Sequence, residues 1–200
     1  GLNFFFIPRD TSGVSVSKLF DTLGTKTTKI SEVSFNNCRI PPEYGLGKEG
    51  QGLTNLLSIL SEIRTMTAAL AIGLLRAALD DSIRYAQERA QFGNTIGKYQ
   101  LIQAKIANMA VDLEASNLLT YRASHLIDDK TECLKEATMA KYFATEAACR
   151  AADEATRIFG AYAYSMEYSP QRYYRDNRFL LYGGGAHEIL QPNIAKWVGL

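Results

Sequence analysis

The sequence is poor in the residues that build metal sites and disulfide frameworks. It has two histidines, His125 and His187, and three cysteines, Cys38, Cys133 and Cys149. The cysteines are widely spaced and odd in number, with no CxxC pair. A reducing compartment is therefore expected, the cytoplasm or, in a eukaryote, the mitochondrial matrix. Neither histidine has the local partners of a zinc site, and no metal is expected. Excess charge is missing as well. Lys and Arg number 22 against 21 Asp and Glu, a net charge of +1. That balance argues against nucleic acid or an anionic membrane as a partner. No unbroken apolar run approaches the roughly 18 residues of a membrane span, and no secretory signal pattern is read.

What is present divides into two patterns. Residues 1–45 read as β: "NFFFIP" is a short apolar run stopped by Pro8, "GVSVSKLF" alternates, and in "SEVSFNNCRIPP" Val33 and Phe35 share a face before Pro41 and Pro42. Three short strands cannot close a barrel or cover a sheet, so 1–45 is read as the last strands of an incomplete β domain. Residues 46–200 read as helical. Leu53, Leu56, Leu57, Leu60, Ile63, Leu70, Leu74 and Ala78 follow the spacing of a first long helix. A break at Gly93 and Gly97 precedes a second helix carrying Ile102, Ile106, Met109 and Leu113. A third uses alanine as its packing stripe: Ala137, Ala140, Ala144, Ala147, Ala151 and Ala155, then Ile158, with Gly160 at its end. Ser169-Pro170 reads as an N-cap with Pro at the first helical position, and a last helix follows the glycines at 183–185. The fold class expected is mainly α, an up-down four-helix-type bundle preceded by a few strands.

Three stretches are candidates for chemistry. "GLGKEG", Gly45 to Gly50, spells a dinucleotide fingerprint but lacks the βαβ setting that gives the motif meaning. It is read as an entry turn. "ERAQFGNTIGKYQ", Glu88 to Gln100, holds an arginine able to grip a pyrophosphate, an aromatic able to pack on a flat ring and a glutamine opening a helix. "YGGGAHEI", Tyr182 to Ile189, is open to three readings: a phosphate cradle, a His-Glu pair, or a turn from which a functional side chain is missing.

The stretch "YAQERAQFGNTIGKYQLIQAKIANMA" resembles the signature region of the acyl-CoA dehydrogenases, which are FAD flavoproteins. "LGTKTTKISEVSFNNCRIP" is similar to the last strands of that family's middle domain, and "RIFGAYAYSMEYSPQRYYRDNRFLLYGG" to its closing helices. The resemblance implies an N-terminal helical domain, a middle β domain and a C-terminal bundle, of which this chain would hold the end of the second and the whole of the third. It implies that Arg89, Phe92 and Gln100 contact the FAD of a neighbouring subunit. Arg157, Gly160 and Ala161 fall on a second FAD-contacting stretch, with Arg157 and Ala161 departing from the usual Gln and Gly. Gly185 and Ala186 occupy the usual Gly-Thr that follows the catalytic base.

The family's reaction removes an α proton from an acyl thioester while a β hydride passes to flavin, and needs a carboxylate at the α carbon. Counted from Arg175-Asp176, the usual glutamate position is Gly184, so the turn resembles a variant that lacks the base. Members of that kind carry the glutamate on the first long helix, directly before an arginine. Here that arginine is Arg64; Ile63 precedes it, and the nearest carboxylate is Glu62. Arg64 and Gly184 are thus candidates for the substrate side of the site. Glu62 as base and no classical base at all both remain open. The implied function is an FAD-dependent acyl-CoA or acyl-carrier-protein dehydrogenase, assembled as a dimer or dimer of dimers and passing electrons to an electron-transfer flavoprotein. The alternatives are a base-less structural subunit that completes FAD sites in a mixed oligomer, and a relative that uses reduced flavin with oxygen.

Overall fold

Prolines and polar residues interrupt the β pattern so often that little sheet forms. The computed structural model describes residues 1–200 and contains three two-stranded antiparallel ribbons. β1 (Phe4–Phe5) pairs with β4 (Gly45–Leu46), Phe4 opposite Leu46. β2 (Val14–Val16) pairs with β3 (Val33–Phe35), Val14 opposite Phe35. β4 lies inside the stretch read as an entry turn; the turn proper comes after it, with positive φ at Gly47 and Gly50. A two-stranded ribbon has no second layer to bury its faces, and Phe5, Phe6, Phe20 and Phe35 lie exposed.

The chain forms two compact units, 1–60 and 61–200, which divide inside the first helix. The sequence boundary at 45/46 marks where strand pattern gives way to helix pattern. In the first unit, Gly52 opens α1 (Gly52–Glu88) and its N–H donates to Leu2 O at 2.9 Å. A Cβ there would stand 2.4 Å from Leu2 O, so only glycine permits the approach.

The second unit holds the rest of α1, α2 (Gln100–Asp128), α3 (Leu134–Phe159), α4 (Pro170–Leu180) and α5 (His187–Trp197). The alanine stripe of α3 is its core: Ala137, Ala140, Ala144, Ala147 and Ala155 are wholly buried. Small side chains on one face let the neighbouring helices close in around it. Against it lie Met109 and Ala123 of α2, Tyr173 and Leu180 of α4, and Ala68, Ala71, Leu75 and Ala78 of α1.

Here α1 differs from expectation. The stripe drawn through Ile63 and Leu70 is not the buried face, since Ile63 is 39% and Leu70 61% exposed. The helix is apolar on more than one side, and periodicity alone cannot choose between them. By length and mean hydropathy it is also long and apolar enough to cross a membrane, although polar residues interrupt its apolar runs.

Two helix ends contrast. Gly160 terminates α3 at φ 61°, as its position suggested. Ser169 does not cap α4: its backbone is already helical, at φ −65° and ψ −32°, and its side chain makes no capping bond. The 3-10 turn at Gly160–Tyr164 and the bends after it lead the chain into α4, so only Pro170 keeps its expected role.

Candidate functional site

All eleven candidate residues lie in the second unit, and most of them gather in two places. The first is a hairpin between α1 and α2, in which β5 (Ala90–Gln91) pairs with β6 (Asn94–Thr95). Phe92 and Gly93 occupy its turn at φ 53° and 79°, the double positive-φ turn that suits the twist of a two-residue hairpin loop. Glycine adopts that conformation readily and phenylalanine rarely does. The strained Phe92 is 93% exposed, and Tyr99 pins the loop by donating to Gln91 O at 2.7 Å. Gln100, the first residue of α2, is exposed beside it.

The structure joins this hairpin to the stretch after α3. The Arg89 guanidinium lies 5.5 Å from the centre of the Tyr162 ring, which follows Gly160 and Ala161. One turn earlier on α1, Tyr85 stacks on Phe159 with ring centres 4.1 Å apart. Two sequence stretches about seventy residues apart thus form one surface holding Arg89, Phe92, Gly160, Ala161 and Tyr162. Arg157 faces solvent and donates to Asp153 at 2.8 Å, an ordinary pair one helical turn apart. Tyr162 and Tyr99 lie inside the quoted stretches, but no role falls to either from the sequence.

The second place is the 182–188 turn. Gly184 and Gly185 have φ of 71° and 113°. A ring of buried basic side chains holds their carbonyls. Arg64 donates through Nε to Gly184 O at 3.0 Å and through Nη1 to Thr138 Oγ1 at 2.8 Å. Lys141, 0% exposed, donates to Leu181 O at 3.1 Å and to Gly185 O at 2.9 Å. His187 is buried with Nδ1 2.8 Å from Glu146 and Nε2 2.9 Å from Thr145 Oγ1.

All three basic groups are pushed down by burial, which disfavours the charged form. Burial lowers Arg64. Lys141 falls to about 8, through burial first and the nearby Arg64 charge second. His187 is lowered by burial and then by Lys141, with Glu146 opposing. A neutral imidazole keeps both contacts if Nδ1–H donates to Glu146 and Nε2 accepts from the Thr145 hydroxyl, which then gives up its bond to Lys141 O. His187 therefore belongs with Glu146 on α3 and not with Glu188, which is exposed in the first turn of α5. Lys141, Thr138 and Glu146 were missed in the sequence. The available signal was a lysine on the same face as Ala137, Ala140 and Ala144.

No carboxylate stands at Gly184. A Cβ built there would meet Thr67 Oγ1 at 3.4 Å, Arg64 Cγ at 3.5 Å and Ile63 Cγ2 at 3.6 Å. The turn position and the helix position before Arg64 thus adjoin each other, and they carry glycine and isoleucine. Glu62 lies on the exposed side of α1, because one residue rotates a side chain about 100° around a helix. Arg64 serves as a clamp on the turn through Gly184 O, and Gly185 and Ala186 form the turn's descending limb into α5. Of the three readings of "YGGGAHEI", the geometry favours the turn without its functional side chain: Arg64 and Lys141 hold its carbonyls, no carboxylate stands at Gly184, and His187 pairs with Glu146, not with Glu188.

Comparison with known proteins agrees with this architecture. Residues 50–199 match the family model described as acyl-CoA dehydrogenase, C-terminal domain. The chain is 46% identical over 198 residues to a benzylmalonyl-CoA dehydrogenase of Aromatoleum aromaticum, covering 98% of this chain and 52% of that protein. It is similar in structure to a prolyl acyl carrier protein oxidase, AnaB, with a TM-score of 0.97, 34% identity and coverage of 100% of this chain and 53% of that one. Butyryl-CoA dehydrogenase of Megasphaera elsdenii gives a TM-score of 0.94 at 32% identity, over 98% of this chain and 51% of that one. The chain spans about half the length of the curated relatives it matches. By motif, fold and whole-chain similarity alike, it belongs to the acyl-CoA dehydrogenase family.

Proposed function

We propose that this chain forms the helical part of a flavin-dependent oxidoreductase that introduces a double bond between the α and β carbons of an acyl thioester. The observation that carries the proposal is the single surface made by Arg89, Phe92, Gly160 and Tyr162. Its chemistry suits FAD. Arg89 has an aromatic face beside it and no carboxylate partner, which leaves its fork available to a diphosphate. Phe92 is held outward at a backbone cost, a feature that points to use. A Cβ at Gly160 would meet nothing within 4 Å, so space is open there for a ligand. Arg89, Phe92 and Gln100 would hold the FAD of a neighbouring copy, with Gly160 and Ala161 beside them. Gly185 and Ala186, on the other turn, would border the flavin of their own subunit. FAD supplies the hydride acceptor.

The chain's own residues would do the positioning. Arg64 and Lys141 fix the carbonyls of the turn, and Ile63 and Thr67 wall the space above Gly184. The proposed substrates are thioesters of CoA or of a carrier protein, the two carriers named among the relatives. A homo-oligomer follows from the two-copy flavin site. An electron-transfer flavoprotein is proposed as electron acceptor: one relative is named as a subunit of a caffeyl-CoA reductase–Etf complex.

A second reading has a specific observation behind it. With glycine at 184, isoleucine at 63 and Glu62 exposed, the chain suits a silent subunit that only completes a partner's flavin site. The same vacancy suits an oxygen-using relative. In the complete natural protein, Arg89→Ala and Phe92→Ala are expected to lower FAD content while leaving the apoprotein's thermal midpoint unchanged. Full FAD occupancy in both variants would refute the flavin assignment. Thioester-dependent bleaching of the flavin without a partner chain would refute the silent-subunit reading.

A further inference from the structure

We propose that His187 is a positioning residue: it pins the Gly185–Ala186 limb of the turn to α3, and acid releases the pin. The inference rests on the flavin reading above, in which this limb borders the flavin of its own subunit. It adds the residue that holds the limb and the pH range in which the hold is lost. Gly184 and Gly185 stand at φ 71° and 113° with no side chain to lock them, so the limb lies where its ends are held. At one end Lys141 donates to Gly185 O at 2.9 Å. At the other, His187 opens α5 and meets three residues of α3. Its Nδ1 is 2.8 Å from Glu146 Oε1, its Nε2 is 2.9 Å from Thr145 Oγ1, and its ring centre is 4.8 Å from that of Tyr142. The amides of Ile189 and Leu190 donate back to Ala186 O, and that of Gly185 to Tyr182 O, which carries the hold into the limb.

Protonation of the ring costs no hydrogen bond. An imidazolium donates from Nε2 to Thr145 Oγ1, whose own hydroxyl is then free to donate to Lys141 O at 2.8 Å. The cost is charge. The charged groups that act on the ring are Lys141 and Glu146 of α3 and Glu188 of α5. Arg64 of α1 acts on Lys141, and Arg178 of α4 on the Cys149 thiol, which burial pushes up and keeps neutral. Lys141 is wholly buried, whereas Glu188 is exposed and the Glu146 side chain is 41% exposed. Solvent therefore screens both carboxylates more than it screens the ammonium. Acid thus sets a second buried cation beside the first, and the linking backbone is glycine, which yields easily.

The sign follows. Burial first and Lys141 second hold the pinned imidazole below its ordinary value of 6.5, against Glu146 and Glu188. A limb with His187 swung into water titrates at the ordinary value. The hold is complete above 6.5. As pH falls below that, the open limb takes the proton first, and opening gains up to about tenfold per pH unit until the pinned ring titrates too.

The test uses the complete natural protein, with and without FAD, from about pH 8 to about pH 5, the range in which histidine titrates. Hydrogen exchange is read at the amides of Gly185, Ile189 and Leu190, each rate divided by its intrinsic rate at that pH, with the amides of α3 as reference. In the wild type, protection should fall by up to about tenfold per pH unit below 6.5. FAD affinity, read from flavin fluorescence, should fall with it. His187→Gln cannot titrate, and should show weaker protection at neutral pH and no such slope. Glu146→Gln keeps an acceptor for Nδ1–H and removes a charge that favours the imidazolium, so the slope should run on to lower pH. That variant decides the matter if His187→Gln does not fold. Protection independent of pH, the wild-type slope in His187→Gln, or a slope that ends at the same pH in Glu146→Gln overturns the inference, whether or not FAD is bound. So does an FAD affinity that holds steady while protection is lost. A protein that shows the slope but binds no FAD overturns the flavin reading and leaves the pin standing.

Discussion

Replacing Lys141 with methionine tests how the 182–188 turn is held, because the lysine both supports the turn and bears a cost. The ammonium gives charge-assisted hydrogen bonds to Leu181 O and Gly185 O. Methionine matches its length and supplies neither. Two buried carbonyls losing their donors cost about 1–3 kcal/mol each. Against this, the native lysine is held charged where burial disfavours charge: the gap between its ordinary value of 10.5 and about 8 corresponds to roughly 3 kcal/mol. At pH 7 the two effects oppose, and Lys141→Met is expected to fall between about 1 kcal/mol more stable and about 3 kcal/mol less stable than the wild type.

The sign of the pH dependence is the sharper test. Between about pH 8 and 10.5 the unfolded chain keeps the proton that the folded chain releases, so native stability from this group rises with pH. The contribution is present above 10.5 and is lost as pH falls through about 8. Methionine does not titrate, so the variant's deficit should widen by up to roughly 3 kcal/mol across that window. For a chain of this size that is about 6–12 °C in midpoint. Thermal melts followed by circular dichroism, wild type and variant side by side from pH 7 to 10, read the difference. A deficit that stays constant or narrows as pH rises would falsify the account of Lys141 as a buried cation.

Three further outcomes follow from the packing. Ala144→Leu forces a larger side chain into the wholly buried stripe of α3 and should cost about 1–3 kcal/mol or more in denaturant melts; a neutral result would mean that the stripe is loosely packed. Tyr173→Phe removes the bond from Tyr173 Oη to Asp81 Oδ2 at 2.7 Å between α4 and α1, and should cost about 1.5–3 kcal/mol, the range for a bond to a charged group. Glu62→Gln should leave flavin reduction by any accepted thioester unchanged, since Glu62 lies on the exposed side of α1. A loss of two or more orders of magnitude would restore it as the base.

The long helices and the alanine stripe of α3 were legible in the sequence, because a periodicity of 3.6 residues is a local property that survives burial. Gly160 as a terminator and the break at Gly93 were legible for the same reason: they express the backbone preferences of glycine; the positive φ of Phe92 was not. The family was legible too, in motifs whose order along the chain is itself information. Tertiary structure decided the rest. Which face of α1 is buried depended on what packs against it, and an all-round apolar helix holds no answer of its own. The meeting of Arg89 with Tyr162 needed the end of α3 to fold back to the hairpin. Above all, whether a carboxylate serves the turn came down to one residue of helical phase. Glu62 and Ile63 are neighbours in the chain, and only the packing of α1 against the glycine turn sets the isoleucine, and not the glutamate, over Gly184.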